Sequence, residues 1–221
     1  ASDGQGTGRC LVLVTPDAER TMCTTLGAAT SLTTADIDDT QVRASSVVYM
    51  EGYLFDPPEA KAAFVHAAEV AHAADRKVSI TLSDSFCVDR HRAAFAHLVD
   101  NHIDILFANE DEIVSLYEAA SFDEALQAVR GRCEIACLTR SAEGSVIVAG
   151  DDVIEVPAAP VDAVVDTTGA GDLYAAGFLY GYTQGKSLAE SGAIGGIAAA
   201  EVIAHYGARP AVSLRDLLPT G

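Results

Sequence analysis

The stretch VVYMEGYLFDPPEAKAAFVHAAEVAHAADRKVSITL, Val47–Leu82, decides the fold. Val47–Met50 and Val78–Leu82 are apolar runs of strand length. Between them Ala60, Ala63, Phe64, Ala67, Ala71 and Ala74 recur at helical spacing and make one apolar face. Asp56 is placed to cap that helix, with Pro57 at its first position and Glu59 in its first turn, and the pattern fades near Asp75. Two strands joined by such a helix pair in parallel through a right-handed crossover. His66 and His72 fall on the flanks of the apolar face, where solvent, not a metal, is the expected neighbour.

Outward from this unit the alternation continues. Cys10–Val14, Ile103–Phe107 and Ile135–Leu138 read as further strands, and His91–Asp100 and Asn109–Ala120 as helices. Ser145–Ala149 and Val153–Val156, around the turn residues Gly150, Asp151 and Asp152, read as an antiparallel hairpin. Leu173, Ala176, Gly177 and Tyr180 lie on one face of a helix that follows Gly169; a second helix spans Leu188–Ala204, and Pro210 ends it. No linker rich in Gly, Ser or Pro divides the chain, which predicts a single α/β domain over residues 1–221.

Composition narrows the function. Fourteen basic against 32 acidic residues give a net charge of −18, which repels nucleic acid and anionic membranes. An apolar share of 49% excludes a disordered acidic chain. The longest apolar candidate, around Ala193–Ala204, is interrupted by Glu201 and too short to span a bilayer. Cys10, Cys23, Cys87, Cys133 and Cys137 are scattered without CxxC spacing, so reduced, buried thiols are expected, Cys133 and Cys137 as core. ASDGQGTGR at the front is neither a signal peptide nor a Met start, and the native start is expected upstream.

In an open parallel sheet, ligands collect beyond the carboxyl ends of the strands. Ser83 and Asp84, Asn109 and Glu112, and Thr139–Gly144 follow successive strands, while Gly169–Asp172 open a late helix. The run Asp166-Thr167-Thr168-Gly169-Ala170-Gly171-Asp172 presents small residues and free helix amides, a ready site for an oxyanion. Asp172 would repel that anion unless it takes a proton from an attacking hydroxyl; the alternative is an ordinary helix cap.

These residues carry a resemblance. DTTGAGDLYAAGFL, Asp166–Leu179, resembles the second signature of the ribokinase-like phosphofructokinase-B (PfkB) sugar kinases, a family that includes adenosine kinases. Asn109-Glu110-Asp111-Glu112 is similar to its Asn-x-x-Glu element, and Thr139–Gly144 to its Thr-x-Gly-x-x-Gly loop, with Ser141 where the family has glycine. Leu11–Ala29 resembles the strands that follow the family's lid, and Ala198–Pro210 its closing helix and turn. LVLVTPDAERTM, EGYLFDPPEA and LSDSFCVDRHR are closest to the adenosine-kinase-like bacterial branch.

The resemblance implies a three-layer ribokinase-like fold with remnants of a β lid at residues 10–30. It implies a cytoplasmic kinase that moves the γ-phosphoryl of ATP to a hydroxymethyl of a sugar or nucleoside. Asp172 would be the base, its pKa lowered by the helix start, and Gly169, Ala170 and Gly171 the anion hole. Thr139, Arg140, Gly144 and Gly196 would line the nucleotide, and Asn109 and Glu112 would organise Mg²⁺ through water and phosphate. Asp166, Thr168 and Gly207 match a monovalent-cation site, with K⁺ the candidate ion. Ser141 should narrow the nucleotide groove or take a backbone angle that Ser adopts poorly. Asp84, Arg90 and Arg92 either reach toward substrate or form surface ion pairs. The family's sugar-gripping N-terminal third is absent from these residues, which predicts little turnover by them alone. The rival expectations are a non-catalytic nucleotide-binding module and a homodimer paired through an exposed sheet edge.

Overall fold

The computed structural model describes Gly4 and residues 6–218. Val47–Glu51 (β3) and Lys77–Thr81 (β4) flank Pro58–His72 (α2), and the two strands pair in parallel with Val47 opposite Lys77 and Glu51 opposite Thr81. Ile105–Asn109 (β5) joins β4 in parallel, Ser79 opposite Ile105. With Ile135–Thr139 (β6), Ser145–Ala149 (β7) and Asp152–Val156 (β8), the sheet runs β3-β4-β5-β6-β7-β8. Only Gly150 and Asp151 separate β7 from β8, and Gly150 takes φ 59°, as a hairpin turn requires. The architecture is three-layer α/β with a mostly parallel sheet.

Burial explains the layering. Val78, Ser79 and Ile80 are inaccessible on both faces of β4, the mark of a parallel sheet covered on each side. Ser79 satisfies its hydroxyl by donating to Val48 O at 3.1 Å. Ile105, Leu106 and Leu138 on the strands and Phe95, Leu98 and Ile113 on the helices are likewise buried in one part of the chain, and Ile147 and Phe178 in another. Each such side chain contributes about 1.5–3 kcal/mol by leaving water.

Several helix boundaries differ from expectation. Asp56 is not the cap of α2: Pro57 is, extended at φ −71° and ψ 140°, and the helix begins at Pro58. Pro58 forbids a helical Pro57, while Asp56 pairs with Arg90 and His91 at 3.3 and 2.5 Å. The third helix, Ser85–His102 (α3), starts before His91 because Asp84 caps it, accepting from Phe86 N at 2.6 Å; His91 marks a kink inside it. One expected helix after β5 is two, Glu110–Tyr117 (α4) and Phe122–Val129 (α5). Glu118 at φ 50° ends the first, and Ser121 caps the second by accepting from Glu124 N at 3.2 Å. Asp39–Ala44 (α1) was not anticipated.

The chain forms two compact units. One holds the segment ending at Arg9, Thr25–Leu138 and Val148–Asp152; the other holds Cys10–Thr24, Thr139–Ile147 and the segment from Val153 onward. In the second, Ala170–Thr183 (α6) and Leu188–Ile203 (α7) pack main chain against main chain. A Cβ on Gly177 would lie 2.8 Å from Gly195 Cα, one on Gly181 2.8 Å from Ser191 Cα, and one on Gly195 2.7 Å from Tyr174 O.

Thr7–Val14 (β1) and Arg20–Gly27 (β2) make a separate two-stranded sheet, where lid strands were expected, with Leu11 and Leu13 largely exposed. Cys10 and Cys23 are exposed on it, contrary to the expectation of buried thiols, because this sheet has no second layer over those positions. Cys87 and Cys137 are buried, and burial pushes the half-buried Cys133 thiol up to about 12. His66 and His72 sit at the flanks of α2, 2.8 Å from Asp39 and 2.9 Å from Asp104. Among the described residues no helix is long and apolar enough to cross a membrane, and no three His, Cys, Asp or Glu side chains are grouped to hold a metal.

Candidate active site

In the second unit, Gly169 caps α6 at φ 84° and ψ 1°, and Leu173 N donates to Gly169 O at 2.9 Å to close the first turn. Helix geometry then leaves the amides of Ala170, Gly171 and Asp172 without an intrahelical acceptor. Ala170 N reaches back to Thr167 O at 3.2 Å, so one of the three is already engaged. The two glycines differ in purpose. Gly169 is needed by the fold, because a Cβ there would meet Ala208 Cβ and O at 3.1 Å. Gly171 is not: beyond its own stretch of helix, no described residue lies within 4 Å of its Cβ position, and its φ is not positive. In a helix a glycine costs stability relative to alanine, so the fold gives no reason for it there.

Asp172 is exposed beside this turn. Its carboxyl is raised from the ordinary 3.8, with partial burial as the cause. This corrects the expected lowering: local desolvation outweighs the attraction of the helix start. Asp166, 3% exposed, accepts from Thr168 N and Oγ1 at 2.9 and 2.5 Å and from Gly207 N at 3.0 Å. Burial alone would raise its pKa; the hydrogen bonds from Thr168 and Gly207 reverse this and hold it below the usual value. These hydrogen bonds bring Asp166, Thr168 and Gly207 together.

Thr139 ends β6, and the next five residues form a closed turn. Arg140 N donates to Gly144 O at 2.8 Å, Gly144 N donates to Ser141 O at 3.2 Å, and Arg140 pairs with Glu143 at 2.7 Å. Gly144, at φ 89° and ψ −128°, runs so close to β8 that a Cβ would stand 2.1 Å from Val156 O. Ser141 takes φ 48°, the left-handed conformation favoured by the glycine it replaces. The same neighbourhood includes α6 and α7. Tyr174 OH donates to Ser145 Oγ at 2.7 Å, and the Gly192 Cβ position faces Ile147 Cδ1 at 2.7 Å and Val156 Cγ2 at 3.0 Å. Gly196 faces Ala159 N at 3.8 Å, which leaves room along this side of α7.

The first unit carries its own polar strand ends. Asn109 and Glu112 form a reciprocal cap: Asn109 Oδ1 accepts from Glu112 N at 2.8 Å, and the Glu112 carboxylate accepts from Asn109 N and Nδ2 at 2.9 and 2.8 Å. Glu112 is 5% exposed. Burial pushes its carboxyl up to about 7; the Asn109 amide opposes this, and Asp84, Asp111 and Glu51 add to it. At the end of β3, Glu51 accepts from Tyr49 OH at 2.9 Å and Ser83 Oγ at 3.0 Å. Arg90 pairs with Asp56, and Arg92 with Asp89 and Glu118, which makes them surface ion pairs of small energetic weight. Tyr53 and Phe86, 43% and 72% exposed, follow the ends of β3 and β4. Sequence reasoning passed over both; the available signal was an aromatic within five residues of a strand end.

The fold is thus a mostly parallel α/β sheet; in the first unit carboxylates follow strand ends, and in the second a glycine opens a helix whose first turn bears an acid. The chain belongs to the pfkB family of carbohydrate kinases, whose sequence pattern matches residues 1–214. An adenosine kinase from Sinorhizobium meliloti is 50% identical, with a TM-score of 0.94 over 97% of this chain and 66% of that one. A probable sugar kinase protein from Rhizobium etli CFN 42 is 48% identical, with a TM-score of 0.93 over 95% and 64%. An adenosine kinase from Saccharomyces cerevisiae is 30% identical over 201 residues, 84% of this chain and 58% of its own length. The chain thus spans about two thirds or less of each of these relatives. Members of the family generally use ATP with Mg²⁺.

Proposed function

We propose that the protein carrying this chain is an ATP-dependent kinase that phosphorylates a hydroxymethyl group of a sugar or nucleoside. The observation that carries this is the start of α6, where Gly171 leaves open space beside unbonded amides and the exposed Asp172. Those amides would hold the γ-phosphoryl as charge spreads over its oxygens, with Ala170 N exchanging its long bond to Thr167. Asp172 would accept the proton of the attacking hydroxyl. Gly169 shapes the turn, while Thr139, Arg140, Gly144 and Gly196 would border the nucleotide.

Asn109 and Glu112 offer the hard oxygen ligands that suit Mg²⁺ and its waters. Bound there, Mg²⁺ neutralises phosphate charge. It also favours the ionised form of Glu112, whose carboxyl burial otherwise holds near 7. The buried charge of Asp166, with Thr168 and Gly207 beside it, suits a monovalent cation such as K⁺. Tyr53 and Phe86 supply exposed rings on which a nucleobase can stack, which favours a nucleoside of the adenosine type. Five cysteines without a disulfide suit the reducing cytoplasm. Pairing of two copies through the exposed β1–β2 sheet belongs to the same proposal, and the mass in solution tests it.

The deciding experiment uses the full-length protein with ATP, Mg²⁺ and adenosine, ribose or fructose, together with Asp172→Asn. Turnover is expected for the parent and a loss of about 10²–10⁴-fold for the variant, with ATP affinity nearly unchanged. Binding of ATP without transfer by the parent would instead establish a non-catalytic nucleotide-binding module. A variant that keeps most of its rate would remove Asp172 from the mechanism.

A further inference from the structure

Glu201, on the last turn of α7, is a charged side chain only 10% exposed. One carboxylate oxygen, Oε1, accepts from Ala211 N at 2.8 Å and lies 3.2 Å from His205 Nε2. The other, Oε2, is buried with no hydrogen-bond partner among the described residues. Burying a carboxylate this incompletely satisfied is costly, so its retention calls for a reason.

The segment it holds supplies one. Residues 207–211 leave α7 and are fixed at two points, by Asp166 through Gly207 N at 3.0 Å and by Glu201 through Ala211 N. Between those points Ala208 lies against Gly169, 3.1 Å from where a Cβ would stand. Gly169 in turn caps α6 and accepts from Leu173 N. A continuous line of close contacts therefore runs from Glu201, through Ala211 and Ala208, to the turn that presents the amides of Gly171 and Asp172.

We propose that Glu201 is a positioning residue: by clamping Ala211 it keeps the 207–211 segment pressed under Gly169 and so fixes the aim of the α6 amides. It touches neither nucleotide nor acceptor. Asp166 fastens the near end of the segment, and Glu201 keeps the far end from swinging away. The consequence for turnover rests on the kinase function proposed above; the mechanical coupling does not.

The test compares Glu201→Ala, Glu201→Gln and Glu201→Asp in the full-length protein, by residue-level amide hydrogen exchange and by steady-state kinetics. Gln keeps an acceptor oxygen at the Oε1 position; Ala removes it, and Asp is one methylene too short to reach Ala211. In Glu201→Ala, exchange should rise about 10–100-fold at Ala211, the loss expected for a hydrogen bond to a charged group, and should also rise at Gly207 and Leu173. The kcat should fall by about tenfold or more with KM for ATP changed by less than about threefold, because aim is lost and nucleotide contacts are not. Glu201→Gln should restore both readouts to near the parent. If Glu201→Ala does not fold, Glu201→Asp must show the same exchange pattern. Faster exchange confined to Ala211, or a Gln variant as impaired as the Ala variant, overturns the proposal. Absence of turnover in the parent would count against the kinase function, while exchange at Gly207 and Leu173 would still decide the coupling.

Discussion

Gly171→Ala separates what the fold needs from what a ligand needs. The position is helical, its φ is not positive, and beyond its own stretch of helix no described residue lies within 4 Å of the added methyl group. Replacing glycine by alanine in such a place stabilises a helix by about 0.5–1 kcal/mol, since alanine has less backbone freedom to lose. For a domain of this size that raises Tm by roughly 1–4 °C. The same methyl projects into the space where the transferring phosphoryl would sit. Loss of one preorganised donor contact costs about 10²–10³-fold in rate, and steric exclusion of the phosphoryl adds to it. The variant should thus be more heat-stable than its parent and nearly inactive, a pairing that damage to the fold cannot produce. Scanning calorimetry and an ATP-dependent phosphorylation assay on the full-length protein read the two effects separately. A rate within threefold of the parent would show that no phosphoryl group approaches Gly171, and the proposed role of the helix start would fail. A lower Tm would show that the space is not open. Gly169→Ala provides the contrast, since its φ of 84° and the contact with Ala208 should cost both stability and rate.

Gly144→Ala should be among the most damaging single changes in the second unit. A Cβ 2.1 Å from Val156 O cannot be accommodated without moving β8 away from the turn, so a loss of more than about 3 kcal/mol is expected by urea denaturation. Ser141→Gly should act in the opposite sense, relieving the left-handed strain at φ 48° and adding about 0.5–1 kcal/mol in the same assay. Glu112 predicts a pH dependence. Its folded carboxyl is near 7 against 4.5 for the free group, so the folded state favours the protonated form; the contribution of Glu112 to stability is full below pH 4.5 and is lost as pH rises through 7. The total is about 3 kcal/mol, and Mg²⁺ with ATP should recover part of it above pH 7. Denaturation at pH 5 and pH 8 should show the decline in the parent but not in Glu112→Gln; equal declines would remove Glu112 as its source.

The parallel α/β character was legible because β4 and β5 are buried on both faces, which forces continuous apolar runs into the sequence. Helix ends were less legible. The start of α2 turned on which of two adjacent prolines could be helical, and the division between α4 and α5 on a left-handed Glu118, a conformation that glutamate does not advertise. That a helix opens after the run Asp166–Gly169 could be read from its small residues alone. What could not be read was the difference between Gly169 and Gly171, because the neighbour that decides it, Ala208, lies 39 positions away from Gly169 in the chain. The direction of the Asp172 shift was hidden for the same reason, since spacing shows a helix start but not the protein gathered around it. Asn109 and Glu112 were found by their pattern, yet their mutual saturation and the depth of Glu112 required coordinates.

The glycine contacts joining α6 to α7 have a mechanical consequence. With no side-chain cushion between them at Gly177, Gly181 and Gly195, the two rods cannot slide or tilt independently, and a torque applied near Glu201 is carried to both. Along this seam even one added carbon atom would force the pair apart.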